Sequence, residues 1–200
     1  MGKRWVQEKR KDQYYKMAKK RNYRSRASFK LKQIDRKFRI MRRGDTVLDL
    51  GAAPGGWLQV AKENVGPKGK VVGVDLQRIQ PIDGVETVRG DLREGETMDR
   101  VLSLVGEADV ILSDMSPNIS GNYSMDHARS VGLVEAALEV CRRALRPGGT
   151  LVAKVFQGDM LDDLQREVRS MFEQVKLHSP KASRDASSEI YIIARGYNGG

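Results

Sequence analysis

The residues most able to do chemistry here are acids at the ends of apolar runs and a lysine inside one. Asp75 and Asp114 each follow a short apolar run, Asp91 lies near the end of the stretch Val85–Val88, and Asp49 lies within another run, VLDL, just ahead of the turn Gly51-Ala52-Ala53-Pro54-Gly55-Gly56. Lys154 sits in the middle of LVAKVF, an unusual place for a side chain that is rarely buried. A small-residue turn between a strand and a helix lets a nucleotide-like ligand approach the backbone. The spacing is not G-x-G-x-x-G and no Lys-Ser or Lys-Thr pair follows, so neither a dinucleotide fingerprint nor a P-loop is present. Asp49 would repel a pyrophosphate but suits a cation. Asp75, about 20 residues past the turn, stands where a carboxylate accepts from ribose hydroxyls. A nucleoside with a positive centre and no phosphates is S-adenosylmethionine. Taken singly, each residue also has an ordinary role. Asp75 can close a strand, Asp91 can be a loop acid in RGD, Asp114 can serve the turn at Pro117-Asn118, and Trp57 can be core.

These residues need a scaffold, and the hydrophobic pattern supplies one. Strands are expected at Thr46–Leu50, Lys70–Val74, Val85–Val88, Ala108–Leu112 and Thr150–Phe156, with a last pair at Gln174–His178 and Glu189–Ala194. Helices are expected at Trp57–Val65, Thr97–Val105, after Asp126 as a cap, and at Met160–Phe172. Such alternation argues an α/β fold: a mostly parallel sheet with helices on both faces. In that fold ligands bind at the C-terminal edge of the strands, where Asp75, Asp114 and the glycine turn fall.

Charge divides the chain. Residues 1–43 carry 18 Lys and Arg against 3 acids, a net of +15, whereas residues 44–200 carry 18 against 23, a net of −5. Tyr14, Tyr15, Tyr23, Phe29 and Phe38 are interleaved with the basic residues. Cations for phosphates and aromatics for bases fit an RNA partner, although a solvated basic helix with its aromatics in the core has the same composition. Residues 1–43 therefore read as a basic helical extension, with helices over residues 5–20 and from Ser25 or Ser28, and residues 44–197 as the main domain. The single cysteine, Cys141, excludes an internal disulfide and suits a reducing cytoplasm. The charged N-terminus does not read as a signal peptide. No apolar run approaches the about 20 residues of a membrane span. His127 and His178 match no triad or metal spacing and are expected to be structural.

Five motifs together resemble the FtsJ-type (RrmJ-like) RNA ribose 2′-O-methyltransferases, in the branch that modifies large-subunit ribosomal RNA. They are YRSRASFKL (Tyr23–Leu31), VLDLGAAPGGW (Val47–Trp57), SDMSPNISG (Ser113–Gly121), LVAKVFQG (Leu151–Gly158) and SSEIYIIARG (Ser187–Gly196). The resemblance covers nearly the whole chain; Ser116 stands where many members have Ala. It implies a Rossmann-like fold with a seven-stranded sheet whose last strand inserts antiparallel. It implies S-adenosylmethionine as cofactor, held at Gly55, Trp57, Asp75, Asp91 and Asp114, with no metal. It also implies a catalytic tetrad of Lys30, Asp114, Lys154 and Glu189. The implied substrate is a uridine in the peptidyl-transferase region of 23S ribosomal RNA, free or in the large subunit, with a monomeric enzyme in the cytoplasm.

Methyl transfer from a sulfonium to a ribose hydroxyl is an in-line displacement that needs alignment and a positioned base. Desolvation and a second ammonium at Lys30 would lower the pKa of Lys154; the carboxylates Asp114 and Glu189 would oppose that shift, so the four are expected to titrate as a set. Three other functions fit less of the chain: the same reaction on tRNA or another RNA, a non-catalytic RNA-binding module, and a small-molecule methyltransferase or dehydrogenase.

Overall fold

The computed structural model describes residues 13–183 and 188–199. Within the basic arm, residues 13–20 are helical (α1); the remainder of the helix expected over 5–20, and Ser187 of the last motif, lie outside the described residues. The arm continues into α2 (Ser28–Phe38). The alternating part then runs β1 (Thr46–Leu50), α3 (Gly56–Val65), β2 (Lys70–Asp75), β3 (Glu86–Arg89), α4 (Gly95–Val105), β4 (Ala108–Ser113), α5 (Tyr123–Ala144), β5 (Leu145–Phe156), α6 (Leu161–Met171), β6 (Phe172–His178) and β7 (Glu189–Tyr197).

The strands form one sheet in the order β3-β2-β1-β4-β5-β7-β6. The first five are parallel, and β7 is antiparallel to both β5 and β6. The chain reverses its direction of travel across the sheet between β1 and β4, and the crevice at their C-terminal ends is the natural ligand site of such a fold. Because both faces are covered, the central strands read as continuous apolar runs rather than alternations. On one face Leu48, Leu50, Ile111, Leu151 and Ala153 pack with α4, α5 and α6. On the other, Val47, Val71, Leu112, Val152 and Ile193 pack with Leu31 and Ile34 of α2 and Leu58 and Ala61 of α3. The strand alternation places Asp49, Asp114, Lys154 and Tyr191 on this second face.

Several boundaries shift from expectation, two of them by four residues or more. Helix α5 starts ahead of Asp126, because Asn122 is its cap and accepts the Met125 N–H at 3.1 Å. Asp126 instead accepts from the N–H and hydroxyl of Ser120, both at 2.8 Å, and from the Gly121 N–H at 3.1 Å, fastening the preceding loop. Strand β5 starts at Leu145 rather than Thr150. Leu145 pairs with Ala108 directly after the helix, and the Pro147-Gly148-Gly149 stretch forms an irregularity before pairing resumes at Thr150.

Candidate active site

Helix α2 carries Lys30 to the sheet edge because its first turn is fastened to the start of α3. The Ser28 hydroxyl donates to the Gly56 carbonyl at 3.0 Å, and the Trp57 indole N–H donates to the Ala27 carbonyl at 2.9 Å. Leu31 and Ile34, fully buried, seat the rest of the helix. A side chain at Gly56 would collide with the Ser25 and Ser28 hydroxyls, so this junction needs its glycine.

The four residues of the expected tetrad meet in one cluster. Lys154 Nζ lies 2.9 Å from the Asp114 carbonyl oxygen, 3.2 Å from Asp114 Oδ1 and 3.8 Å from Glu189 Oε1. Lys30 Nζ donates to Glu189 Oε2 at 2.8 Å. The lysines come from α2 and β5, and the carboxylates from the end of β4 and the start of β7. Lys154 is 6 % exposed, and a lysine that deep persists only when paired.

Tyr191 belongs to the same cluster and is not anticipated by the motif analysis. It is fully buried, sits opposite Lys154 in the β5–β7 register, and donates its hydroxyl to Asp114 Oδ1 at 2.7 Å. Burial, then the Asp114 and Glu189 carboxylates, push its phenol well above the ordinary tyrosine range, so it remains a donor. Its sequence signal is a phenol two residues after Glu189 on the same strand face, which has meaning only once β7 is known to lie against β5.

The glycine turn lies beside this cluster, and its backbone conformation and close packing require glycine. Gly51 has φ +71°, and a Cβ there would fall 2.5 Å from Met115 Cγ; Gly55 has φ +110° and would meet Ile82 Cδ1 at 3.0 Å. Asp75 holds the turn: Oδ2 accepts the Ala53 N–H at 2.9 Å and Oδ1 the Gln77 N–H at 2.7 Å. A carboxylate offers roughly four acceptor positions, so Asp75 retains capacity for hydroxyl donors. Asp91 lies past the end of β3. Hydrogen bonds from the exposed Arg93 guanidinium and then its backbone N–H hold its carboxyl down at about 2. Trp57 is 3 % exposed and stacks obliquely on Tyr191, with ring centroids 5.8 Å apart. Its ring is part of the core under the turn.

Asp49 is the unusual group. It is fully buried, and neither carboxylate oxygen has a hydrogen-bond partner. Burial, and secondarily the Asp114 and Asp75 charges, raise its carboxyl well above the usual range. Unpartnered buried carboxyls are costly and rare. This one lies one layer beneath the turn, on the face that carries Asp114 and Lys154. An unpartnered carboxyl at Asp49 and a part-used carboxylate at Asp75 together fit a nucleoside cofactor with a positive centre.

The histidines are structural. His127 Nδ1 donates to the Phe156 carbonyl at 2.9 Å, and its Nε2 accepts the Met160 N–H at 3.1 Å, a tautomer inferred from that network. His178 packs edge-on against Phe38 and lies 3.3 Å from Lys37 Nζ. The Cys141 thiol is buried, which pushes it up to about 12.

The sheet order, the antiparallel last hairpin and the glycine turn after β1 define an S-adenosylmethionine-dependent methyltransferase fold. A family model, FtsJ-like methyltransferase, matches residues 23–197, and the chain belongs to that family. Among its relatives is a protein of Natronomonas pharaonis named ribosomal RNA large subunit methyltransferase E, 58 % identical over 94 % of this chain and 74 % of that protein. Proteins of the same name in Methanosarcina mazei and Methanocaldococcus jannaschii are 57 % and 49 % identical, covering 94 % and 98 % of this chain and 70 % and 83 % of theirs. Among solved structures, a Plasmodium falciparum protein described as a ribosomal RNA methyltransferase superposes with a TM-score of 0.81 at 28 % identity, covering 89 % of this chain and all of that one. Fibrillarin from Aeropyrum pernix, solved with S-adenosylmethionine bound, gives a TM-score of 0.55 at 16 % identity over 76 % of this chain and 67 % of its own; that likeness concerns the fold alone.

Proposed function

We propose that this protein methylates the 2′-hydroxyl of a uridine in 23S ribosomal RNA, with S-adenosylmethionine as donor. The observation that carries the reading is the meeting of Lys30, Asp114, Lys154 and Glu189 beside the glycine turn. The names of the relatives support ribosomal RNA over other RNAs.

When bound, the cofactor supplies a methyl group on a sulfonium, which departs as a neutral thioether. Gly55, Trp57, Asp75, Asp91 and Asp114 would hold it, with the buried Asp49 carboxyl beneath. Lys154 takes or steers the proton of the ribose hydroxyl as the new C–O bond forms. Asp114 fixes Lys154 through both its carbonyl and its carboxylate, and Tyr191 fixes Asp114. Lys30 and Glu189 form a second pair that positions the ribose. Two lysine side chains alternating with two carboxylates and a phenol keep each reacting atom in one orientation before substrate arrives.

The test is transfer of labelled methyl to large ribosomal subunits, free ribosomal RNA and tRNA. Label in ribosomal RNA is expected, with uridine recovered as the 2′-O-methyl nucleoside; label in tRNA alone overturns the substrate. Lys154→Ala is expected to lower the rate by about 100-fold or more while S-adenosylmethionine still binds. Wild-type turnover by that variant removes Lys154 from the mechanism.

A further inference from the structure

We infer that an exposed apolar rim made by Ile119, Tyr123, Met125 and Met160 receives the base of the nucleotide being methylated, and that this base must be unpaired. The inference rests on the function proposed above and adds how the substrate is held.

The large apolar side chains that remain exposed among the described residues are Tyr15, Leu76, Ile119, Tyr123, Met125 and Met160. Single exposed apolar residues are ordinary; a cluster of them marks a contact surface. Four of these six lie in two segments, one following β4 and one following β5. Those strands also deliver Asp114 and Lys154. Ile119 is 64 % and Tyr123 59 % exposed, values that leave most of each side chain open to a ligand.

The rim is held in place. The Tyr123 hydroxyl donates to the Gln157 carbonyl at 2.5 Å, three residues past Lys154. Asp126 fastens Ser120 and Gly121, and the His127 ring bridges the Phe156 carbonyl and the Met160 N–H. Tyr123 is therefore anchored at its hydroxyl while its ring stays open, the arrangement a stacking platform needs. Residues 115–125 contain no charged side chain, although 31 % of the whole chain is charged. A charge-free apolar surface does not suit a phosphate; it suits the face of a base.

Covalent geometry links rim and reaction. The base is attached to the ribose carbon next to the one bearing the 2′-oxygen. A hydroxyl delivered to Lys154 must bring its base within one sugar's width. A base inside a duplex has both faces stacked, so the rim can be used only by a base displaced from the helix.

The test is initial-rate methyl transfer to naked large-subunit ribosomal RNA by wild type, Tyr123→Phe, Tyr123→Ala and Ile119→Ser. Tyr123→Phe is expected to keep KM within about threefold. Tyr123→Ala is expected to raise KM about tenfold, the loss of one base–aromatic stack, with cofactor affinity unchanged. Ile119→Ser, at a position too exposed to affect folding, is expected to raise KM in the same direction. With RNA transcribed to contain 4-thiouridine, photocross-links are expected on residues 119–125. Unchanged KM in both Tyr123→Ala and Ile119→Ser overturns the inference and leaves the functional reading standing. Defects seen only with assembled subunits overturn it in favour of a ribosomal-protein contact. A wild type inert on every RNA overturns the functional reading itself, and the inference with it.

Discussion

At the residue scale the balance of the candidate site turns on two groups that accept no partner or give one away. Tyr191→Phe removes the phenol that Asp114 accepts from while keeping the ring against Trp57. A hydrogen bond to a charged acceptor contributes about 1.5–3 kcal/mol, so the variant should melt earlier. It should also lose kcat more than cofactor affinity, because Asp114 then holds Lys154 less firmly; equal kcat in stopped-time assays would show that the phenol is only structural. Asp49 tests the opposite case. Its carboxyl is raised in the folded protein, so the folded state binds a proton more tightly than the unfolded one. Stability from this group is full below the ordinary aspartate value of 3.8 and is lost as pH rises from there toward the folded value. Asp49→Asn should therefore melt above wild type at neutral pH without cofactor, the gap closing toward pH 4 (about the ordinary aspartate value), while binding S-adenosylmethionine more weakly. Thermal melts across pH, with and without cofactor, measure both halves.

At the element scale the site depends on α2 being held at one angle to the sheet. The Ser28–Gly56 and Trp57–Ala27 bonds do this at the helix start. Ser28→Ala removes the hydroxyl that donates to the Gly56 carbonyl, a bond with a net contribution of about 0.5–1.5 kcal/mol. It should lower kcat while leaving the cofactor dissociation constant within about twofold, since Lys30 rides on α2 and the glycine turn does not. Calorimetric titration against turnover separates the two. The same elements show what sequence could and could not reveal. The strands were legible because each central one is apolar on both faces and ends at an acid or a turn. Asp75 and Asp114 were legible as edge residues for the same reason. Tyr191 was not, because its partner Asp114 is 77 residues away and the contact exists only through the β5–β7 register. The inward packing of Trp57 was one of two readings open in the sequence; its hydrogen bond to the Ala27 carbonyl ahead of α2 was not legible there. Asn122 displaced Asp126 as the cap because both are good caps, and only the loop's path decides which carboxylate or amide faces the helix. The start of β5 was hidden by Pro147 and the two glycines, which read as a stop although Leu145 already pairs with β4.

At the scale of the whole molecule the charge is segregated: the arm over residues 1–43 is +15 and the remainder −5. Tyr14 and Tyr23 pack against Phe29 inside the arm, so part of its aromatic content is core and the cations are left to act on the solvent side. Lys19, Lys20 and Arg21 are exposed at the end of α1. If they neutralise RNA phosphates, each contributes about 0.7 to the slope of log affinity against log salt for a single strand. Replacing all three by Gln should therefore flatten that slope by about 2 and weaken RNA binding most at low salt. Cofactor binding, at an edge built from glycine backbone and buried groups, should not change with salt in either protein. Anisotropy titrations of ribosomal RNA fragments over a salt series measure the slope directly. An unchanged slope would make this part of the arm a solvated face and shift RNA recognition onto α2 and the rim around Tyr123.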